Sequence, residues 1–271
     1  MNNIVTRAIW GALFVSIIIS SFLVGSNATA IVLGFFMAVG LFEFYRFFAK
    51  STIVTPKSGA GVLGGIILYV SLVLKEMNLI EFDLQLVYIP LIFLPFLAVV
   101  FSKAKNPLLD LTITFFPWIY VMIPFYLMFK IFNFEVINQS QWVFVLGLFI
   151  MVWTNDTFAY LTGRSFGKTR LIERISPKKS WEGAIGGFLF TIIAGGIYAY
   201  FTTENYLFWM ISAAIVSPAG ILGDLIESRF KRLVDVKDSG TILPGHGGIL
   251  DRFDAVIYAT PFFYLLLIIF F

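Results

Sequence analysis

The chain has 271 residues, 59% of them hydrophobic and 13% charged, with a mean hydropathy of +0.91. A water-soluble domain carries roughly 25% charged residues, so water is excluded as the solvent for most of this surface. The absence of Cys removes disulfides and thiolate metal sites, the single His removes a multi-histidine site, and a net charge of +3 with no basic soluble face excludes nucleic acid as a partner.

A helix needs about 20 mostly apolar residues to cross a bilayer core. Nine stretches of that kind follow one another along the chain: 8–25, 29–48, 59–75, 84–102, 110–131, 141–162, 183–202, 206–227 and 249–270. Ala28-Thr29-Ala30 looks like a signal-peptidase site, but the apolar run before it is longer than a signal core and a second span follows at once. The first stretch is therefore expected to be a retained helix. Two connections are long and polar, 163–182 and 228–248. The expected fold is an all-α polytopic membrane protein, with 1–140 as a transmembrane scaffold and 141–271 as the catalytic half.

Basic residues mark the cytoplasmic side. With the N-terminus inside, all of the 19 Lys and Arg residues except Lys75 and Lys130 fall in cytoplasmic segments. The C-terminus is then outside, and both polar connections face the cytoplasm. Carboxylates are as uneven as the cations. Before residue 150 the spans hold Glu43 and Arg46 as their main ionisable groups, whereas Asp156, Asp224, Glu227, Asp251 and Asp254 lie within or beside later spans. Such groups are costly in hydrocarbon and normally face a polar cavity.

Asp224 and Glu227 are three residues apart near the end of the eighth span, and Asp251 and Asp254 repeat that spacing at the start of the ninth. Residues so spaced share a helical face. Two helix ends at one depth can thus gather four carboxylates as a site for a hard cation such as Mg²⁺. The alternative is an interfacial salt network with Arg229, Lys231, Arg232 and Arg252. Between the two spans runs Leu243-Pro-Gly-His-Gly-Gly-Ile249. Its glycines could turn backbone N–H groups towards an anion at a helix N-terminus, or form an ordinary turn. Lys237, Asp238, His246, Asp251 and Arg252 crowd this segment and favour the anion site. His246 suits a phosphate contact or a hydrogen bond to a metal ligand.

In the 163–182 connection, Lys178 and Lys179 are flanked by Ser176 and Ser180, which suits a phosphate group. The plainer function is a topogenic loop that attracts anionic membrane lipid. Asn155, Asp156, Tyr160 and Arg164 form a polar stripe leading to this loop, and Asp156 could pair with Arg164. Gly61 and Gly65, with Gly183 and Gly187, have the spacing of close helix packing, within one chain or in a homodimer.

The segment Ser228-Arg-Phe-Lys-Arg-Leu-Val-Asp-Val-Lys-Asp-Ser-Gly-Thr-Ile-Leu-Pro-Gly-His-Gly-Gly-Ile-Leu-Asp-Arg-Phe-Asp254 closely resembles the signature of the phosphatidate cytidylyltransferases, or CDP-diacylglycerol synthases. Ser228, Lys231, Arg232, Lys237, Asp238, His246, Gly247, Gly248, Asp251, Arg252 and Asp254 fall on signature positions. Asn155–Lys168, Ser176-Pro-Lys-Lys-Ser-Trp-Glu-Gly183 and Gly223-Asp-Leu-Ile-Glu-Ser228 resemble further landmarks, so the likeness covers about 150–260.

The resemblance implies a Mg²⁺-dependent enzyme, with a second cation left open, and the short loops without added domains suggest a prokaryotic plasma membrane. Such an enzyme would join CTP to phosphatidic acid of the cytoplasmic leaflet, releasing pyrophosphate. Under it, Asp224 and Asp251 are the expected metal ligands, with Asp238 a third, and Glu227 and Asp254 support them. Lys237, His246 and Arg252 would meet phosphates. Asn155, Asp156, Arg164, Lys168, Ser176, Lys178, Lys179, Ser180, Ser228, Lys231, Arg232, Gly247 and Gly248 would line the substrates. The rivals are a CTP-dependent lipid-alcohol kinase, a cytidylyltransferase for another lipid and, in another class, a transporter.

Overall fold

The computed structural model describes residues 3–51, 54–81, 83–102, 104, 106–136, 139–202, 205–236, 239–240 and 247–271. Ten α-helices lie among them: α1 (Asn3–Val24), α2 (Ser26–Phe48), α3 (Ser58–Glu76), α4 (Gln85–Val100), α5 (Pro107–Pro117), α6 (Ile123–Phe132), α7 (Trp142–Phe166), α8 (Trp181–Phe201), α9 (Tyr206–Leu233) and α10 (Leu250–Phe270). A π-helical turn, Trp118–Met122, joins α5 to α6, making one apolar stretch Pro107–Phe132. Pro117 just before this turn has no N–H to donate, a common origin of such a change in helix register.

Among the described residues, seven helical stretches are long and apolar enough to cross a membrane, and α1 and α4 contribute shorter apolar helices, Ile9–Val24 and Gln85–Leu97. The chain is a multi-pass membrane protein. Its outer surface agrees: Ile31 is 71% exposed, Phe35 61% and Ile197 55%, as lipid-facing side chains should be. The Ala28-Thr29-Ala30 segment lies inside the continuous helix α2.

The chain divides into two compact units, Met1–Lys130 with Val234–Leu250, and Ile131–Leu233 with Asp251–Phe271. In the first, Phe44 packs among Tyr45, Phe47, Phe48, Phe116 and Tyr120. Buried polar tips there find backbone partners, as they must away from water. Tyr45 Oη donates to Thr114 O, Tyr69 Oη to Ala30 O at 3.0 Å and Trp118 Nε1 to Gly61 O at 2.7 Å. Lys130 Nζ lies 3.5 Å from Glu76 Oε2, so α3 and α6 end on the same side.

In the second unit, α8 packs against both α7 and α9. Phe144, Phe208, Trp209 and Phe263 form its aromatic core. Small residues let the helices approach closely. A Cβ on Gly147 would fall 2.3 Å from the Trp209 ring, and one on Gly187 2.8 Å from Asn155 Oδ1. The Gly183/Gly187 face is thus used within the chain, against α7, and Gly61 likewise faces Tyr45.

Two expected boundaries move. The 163–182 connection is partly ordered: α7 runs to Phe166, and β1 (Arg170–Ile172) pairs antiparallel with β2 (Ser176–Ser180), Arg170 opposite Ser180 and Ile172 opposite Ser176. The second connection shortens because α9 continues to Leu233, six residues beyond its expected end. The Glu227–Lys231 pair, one turn apart on α9, favours that extension.

Candidate active site

The second unit brings α7, α9, α10 and the strand pair together through charged side chains. Lys179, on β2, places Nζ 2.5 Å from Asp224 Oδ2 on α9. Lys231, also on α9, lies between Glu227 Oε2 at 2.7 Å and Asp251 Oδ1 at 2.6 Å, the latter in the first turn of α10. Ser228 Oγ donates to Asp224 Oδ1 at 3.1 Å. Asp254 is within electrostatic reach of Glu227, Asp224 and Asp156, and Asp156 of Lys179, Asp224 and Arg252. Glycine makes this convergence possible: a Cβ on Gly223 would sit 2.5 Å from Asp254 O, so α9 and α10 meet backbone to side-chainless backbone.

The structure therefore gathers Asp156, Lys179, Asp224, Glu227, Ser228, Lys231, Asp251, Arg252 and Asp254 into one charged cluster. Both readings of the acids are visible in it, since each carboxylate of the Asp224, Glu227 and Asp251 set is met by an ammonium group. No group of three or more His, Asp or Glu residues at metal-holding spacing occurs among the described residues. In kind, however, the donors fit a hard cation: oxygen ligands that already draw positive charge. Glu227 is fully buried, and its Oε1 has no hydrogen-bond partner among the described residues. An orphaned carboxylate oxygen of that sort is costly unless a cation or donor reaches it.

The other expected residues have different surroundings. Asn155 is buried and structural in its contacts, its Oδ1 accepting from Ser217 Oγ at 2.6 Å, which ties α7 to α9. Arg164 does not pair with Asp156; its exposed guanidinium approaches Tyr160 Oη at 3.5 Å. Ser180 is the N-cap of α8, accepting from Gly183 N at 3.1 Å, so its hydroxyl is engaged with the helix. Lys168 and Lys178 are exposed, Ser176 is half-buried and Arg232 is exposed. Lys237, Asp238 and His246 lie outside the described residues.

Two carboxylates matter more to the geometry than the sequence implied. Glu182, in the first turn of α8, accepts the backbone N–H groups of Lys168 and Thr169, both at 3.1 Å, and so holds the strand pair against the helix. A carboxylate just inside a Ser-capped helix was the available signal.

The second is Glu43 in the first unit. This α2 carboxylate is buried, and it accepts from Ile249 N at 3.1 Å, Leu250 N at 2.9 Å and Ser239 Oγ at 3.2 Å. Gly247 and Gly248 acquire a physical reason here. Gly247 has φ +85°, a left-handed backbone that favours glycine, and a Cβ on Gly248 would fall 2.5 Å from Glu43 Oε2. A carboxylate within a largely apolar span was its signal.

The model of the cytidylyltransferase family matches residues 5–270. A phosphatidate cytidylyltransferase of Bacillus subtilis is 31% identical over 279 residues, covering 100% of both chains. That of Haemophilus influenzae is 39% identical over 170 residues, 59% of this chain and 57% of its own. A Staphylococcus aureus protein of the same name is 48% identical over 127 residues, 46% of this chain and 49% of its own. The matched stretch thus spans about half the length of the latter two relatives and all of the first.

Proposed function

The chain belongs to the cytidylyltransferase family, and from that premise we propose that it is a phosphatidate cytidylyltransferase working at the cytoplasmic face of a prokaryotic plasma membrane. A lipid phosphate oxygen attacks the α-phosphorus of CTP in line. The new P–O bond forms as the bond to the β-phosphate bridging oxygen breaks, giving CDP-diacylglycerol and pyrophosphate. The attacking oxygen is already anionic, so no general base and no covalent enzyme intermediate are needed. What the protein must supply is positioning and compensation of negative charge.

The observation that carries this reading is the pairing of Lys179 on β2 with Asp224 on α9, and of Lys231 with Glu227 and Asp251 across α9 and α10. Such a cluster offers cations to phosphates and carboxylates to a metal within one site. Asp224 and Asp251 would hold Mg²⁺, with Asp238 a further ligand and a second cation accommodated near Glu227. Mg²⁺ held by these carboxylates would supply compensation for the negative charge of the departing pyrophosphate. Lys179 and Arg252 engage phosphates alongside Lys237 and His246, while Lys231 holds Glu227 and Asp251 in place. The strand pair, fixed by Glu182, keeps Lys179 over α9. Acyl chains stay among the helices in the cytoplasmic leaflet, with the headgroup at the interface.

Purified protein given labelled CTP, phosphatidic acid and Mg²⁺ should yield a CDP-lipid and pyrophosphate in equal amounts. A lipid-alcohol kinase would instead transfer the γ-phosphoryl group and release CDP. The acids' position beside the cationic strand pair and the first turn of α10 also disfavours a transporter, whose coupling groups sit near the midplane. Formation of CDP without a CDP-lipid would overturn the proposal.

A further inference from the structure

We infer that Glu43 is a positioning residue for the reaction: its buried carboxylate serves as a built-in anion that holds Ser239, Ile249 and Leu250, and with them the start of α10. Among the described residues, the N–H groups of Ile249 and Leu250 and the hydroxyl of Ser239 converge on its two oxygens. The first free N–H groups of a helix attract negative charge, and a carboxylate there is stabilised by both hydrogen bonds and the helix dipole. Here that anion comes from α2, some two hundred residues earlier in the sequence, as the separations of 206 and 207 between partners record. The charge is held at 1% exposure within a helix whose other charged residue is Arg46, a placement that general packing does not require.

Glycines shape the segment around this carboxylate. A Cβ at Gly240 would lie 2.3 Å from Glu43 Oε1, and one at Gly248 2.5 Å from Oε2 and 2.1 Å from Ser239 Oγ. Both are thus glycines of close approach to a protein carboxylate. With Glu43 occupying the N–H groups of 249 and 250, these two amides are withdrawn from substrate phosphates, which fall to the cations. Asp251 and Arg252 follow directly in the chain, so fixing Leu250 fixes the point from which they project.

The test uses the full-length protein in detergent with lipid. Glu43→Gln keeps the size of the side chain but turns an NH₂ group towards N–H donors. It should lower kcat by at least about tenfold while KM for CTP and phosphatidic acid stay within roughly threefold, because the binding cations remain. Amide hydrogen exchange at Ile249 and Leu250 should accelerate by at least about tenfold as their acceptor is lost. In Glu43→Ala, added formate should restore part of both losses by entering as a replacement anion. Gly248→Ala, which displaces the carboxylate while leaving it in the chain, should reproduce the kinetic and exchange effects, and it decides the matter if the Glu43 variants fail to fold. Wild-type kcat, or wild-type exchange at 249 and 250, in whichever of these variants folds would overturn the inference. The kinetic readout presumes the cytidylyl transfer proposed above; the exchange readout does not, so a wild-type protein without that activity would sink the function and leave exchange to judge Glu43.

Discussion

Lys179 and Asp224 form an ion pair of 2.5 Å between β2 and α9, whereas the neighbouring Lys178 is exposed. Two adjacent lysines that look equivalent in the sequence are therefore different. A lysine that merely marks the cytoplasmic side can become arginine, because the charge remains. A lysine seated on a carboxylate beside a phosphate site cannot, since a planar fork replaces a compact point charge. Lys179→Arg should lose at least about tenfold in kcat/KM, or ~1.4 kcal/mol of transition-state stabilisation, with Lys178→Arg within about twofold of wild type. Equal losses in the two single variants, measured against CTP and lipid separately, would remove the distinction.

Asp224 and Asp251 are expected to be the metal ligands. Asp224→Asn and Asp251→Asn should each abolish detectable turnover while the protein stays monodisperse, and a chelator should do the same reversibly to the wild type. Each variant is best assayed across a Mg²⁺ titration. Recovery of normal turnover at ordinary Mg²⁺ in either one would assign that carboxylate to the lysine network instead.

Lys231 is 8% exposed and bridges Glu227 and Asp251, so its contribution is one of stability as well as placement. Removing one partner of a buried ionic group leaves uncompensated charge, at a cost of about 3–5 kcal/mol. Lys231→Met should therefore lower the thermal midpoint in detergent sharply, and adding Glu227→Gln should recover part of it. A double variant no more stable than Lys231→Met would mean that the two charges do not interact as the 2.7 Å separation indicates.

Nearly all of the helices could be read from apolar run length, because the bilayer imposes a length that composition records directly. The carboxylate cluster could be read from spacing, since Asp224, Glu227, Asp251 and Asp254 each fall three residues from a partner on a helix. Contacts between distant segments could not. Nothing local assigns Lys231 to two acids at once, or gives the Ser180 hydroxyl to the cap of α8. The strand pair was hidden for another reason: five residues with a proline and two lysines carry little strand propensity, and the pairing is enforced by Glu182 and the Trp181 N–H bond to Thr169 O. Glu43 stood out as a charge, but its partners lie too far along the chain for any periodicity to reveal.

Gly223 tests how tightly the site depends on helix separation. Its missing side chain lets α9 approach the backbone of Asp254 and Ala255, and a Cβ there would meet Asp254 O at 2.5 Å and Ala255 Cα at 3.1 Å. Backbone cannot swing aside as a side chain can, so Gly223→Ala must push the helices apart. Misplacement on the scale of 1 Å can cost about a hundredfold in rate. A drop of that order is expected in kcat, although the substitution adds one methyl group and touches no charged atom. Unchanged kcat would mean that Asp224 and Asp251 act with looser geometry than in-line transfer demands.

The remaining prediction concerns orientation. Glu76 and Lys130 pair at 3.5 Å, which sets the ends of α3 and α6 on one side, and Lys75 is the neighbouring cation. These are the two basic residues that an N-terminus-inside arrangement leaves outside, and one of them is charge-compensated there. The cationic strand pair 170–180 should face the other way, towards the cytoplasm. Since the chain contains no Cys, one can be introduced at a time: Leu79→Cys, just beyond α3, and Arg170→Cys, at the start of β1. In intact cells a membrane-impermeant maleimide should label position 79 and spare 170, with 170 labelled once the membrane is permeabilised. Labelling of 170 from outside with 79 protected would invert the protein and move the proposed site to the wrong face for CTP. Labelling of both would break the alternation of spans on which that placement depends.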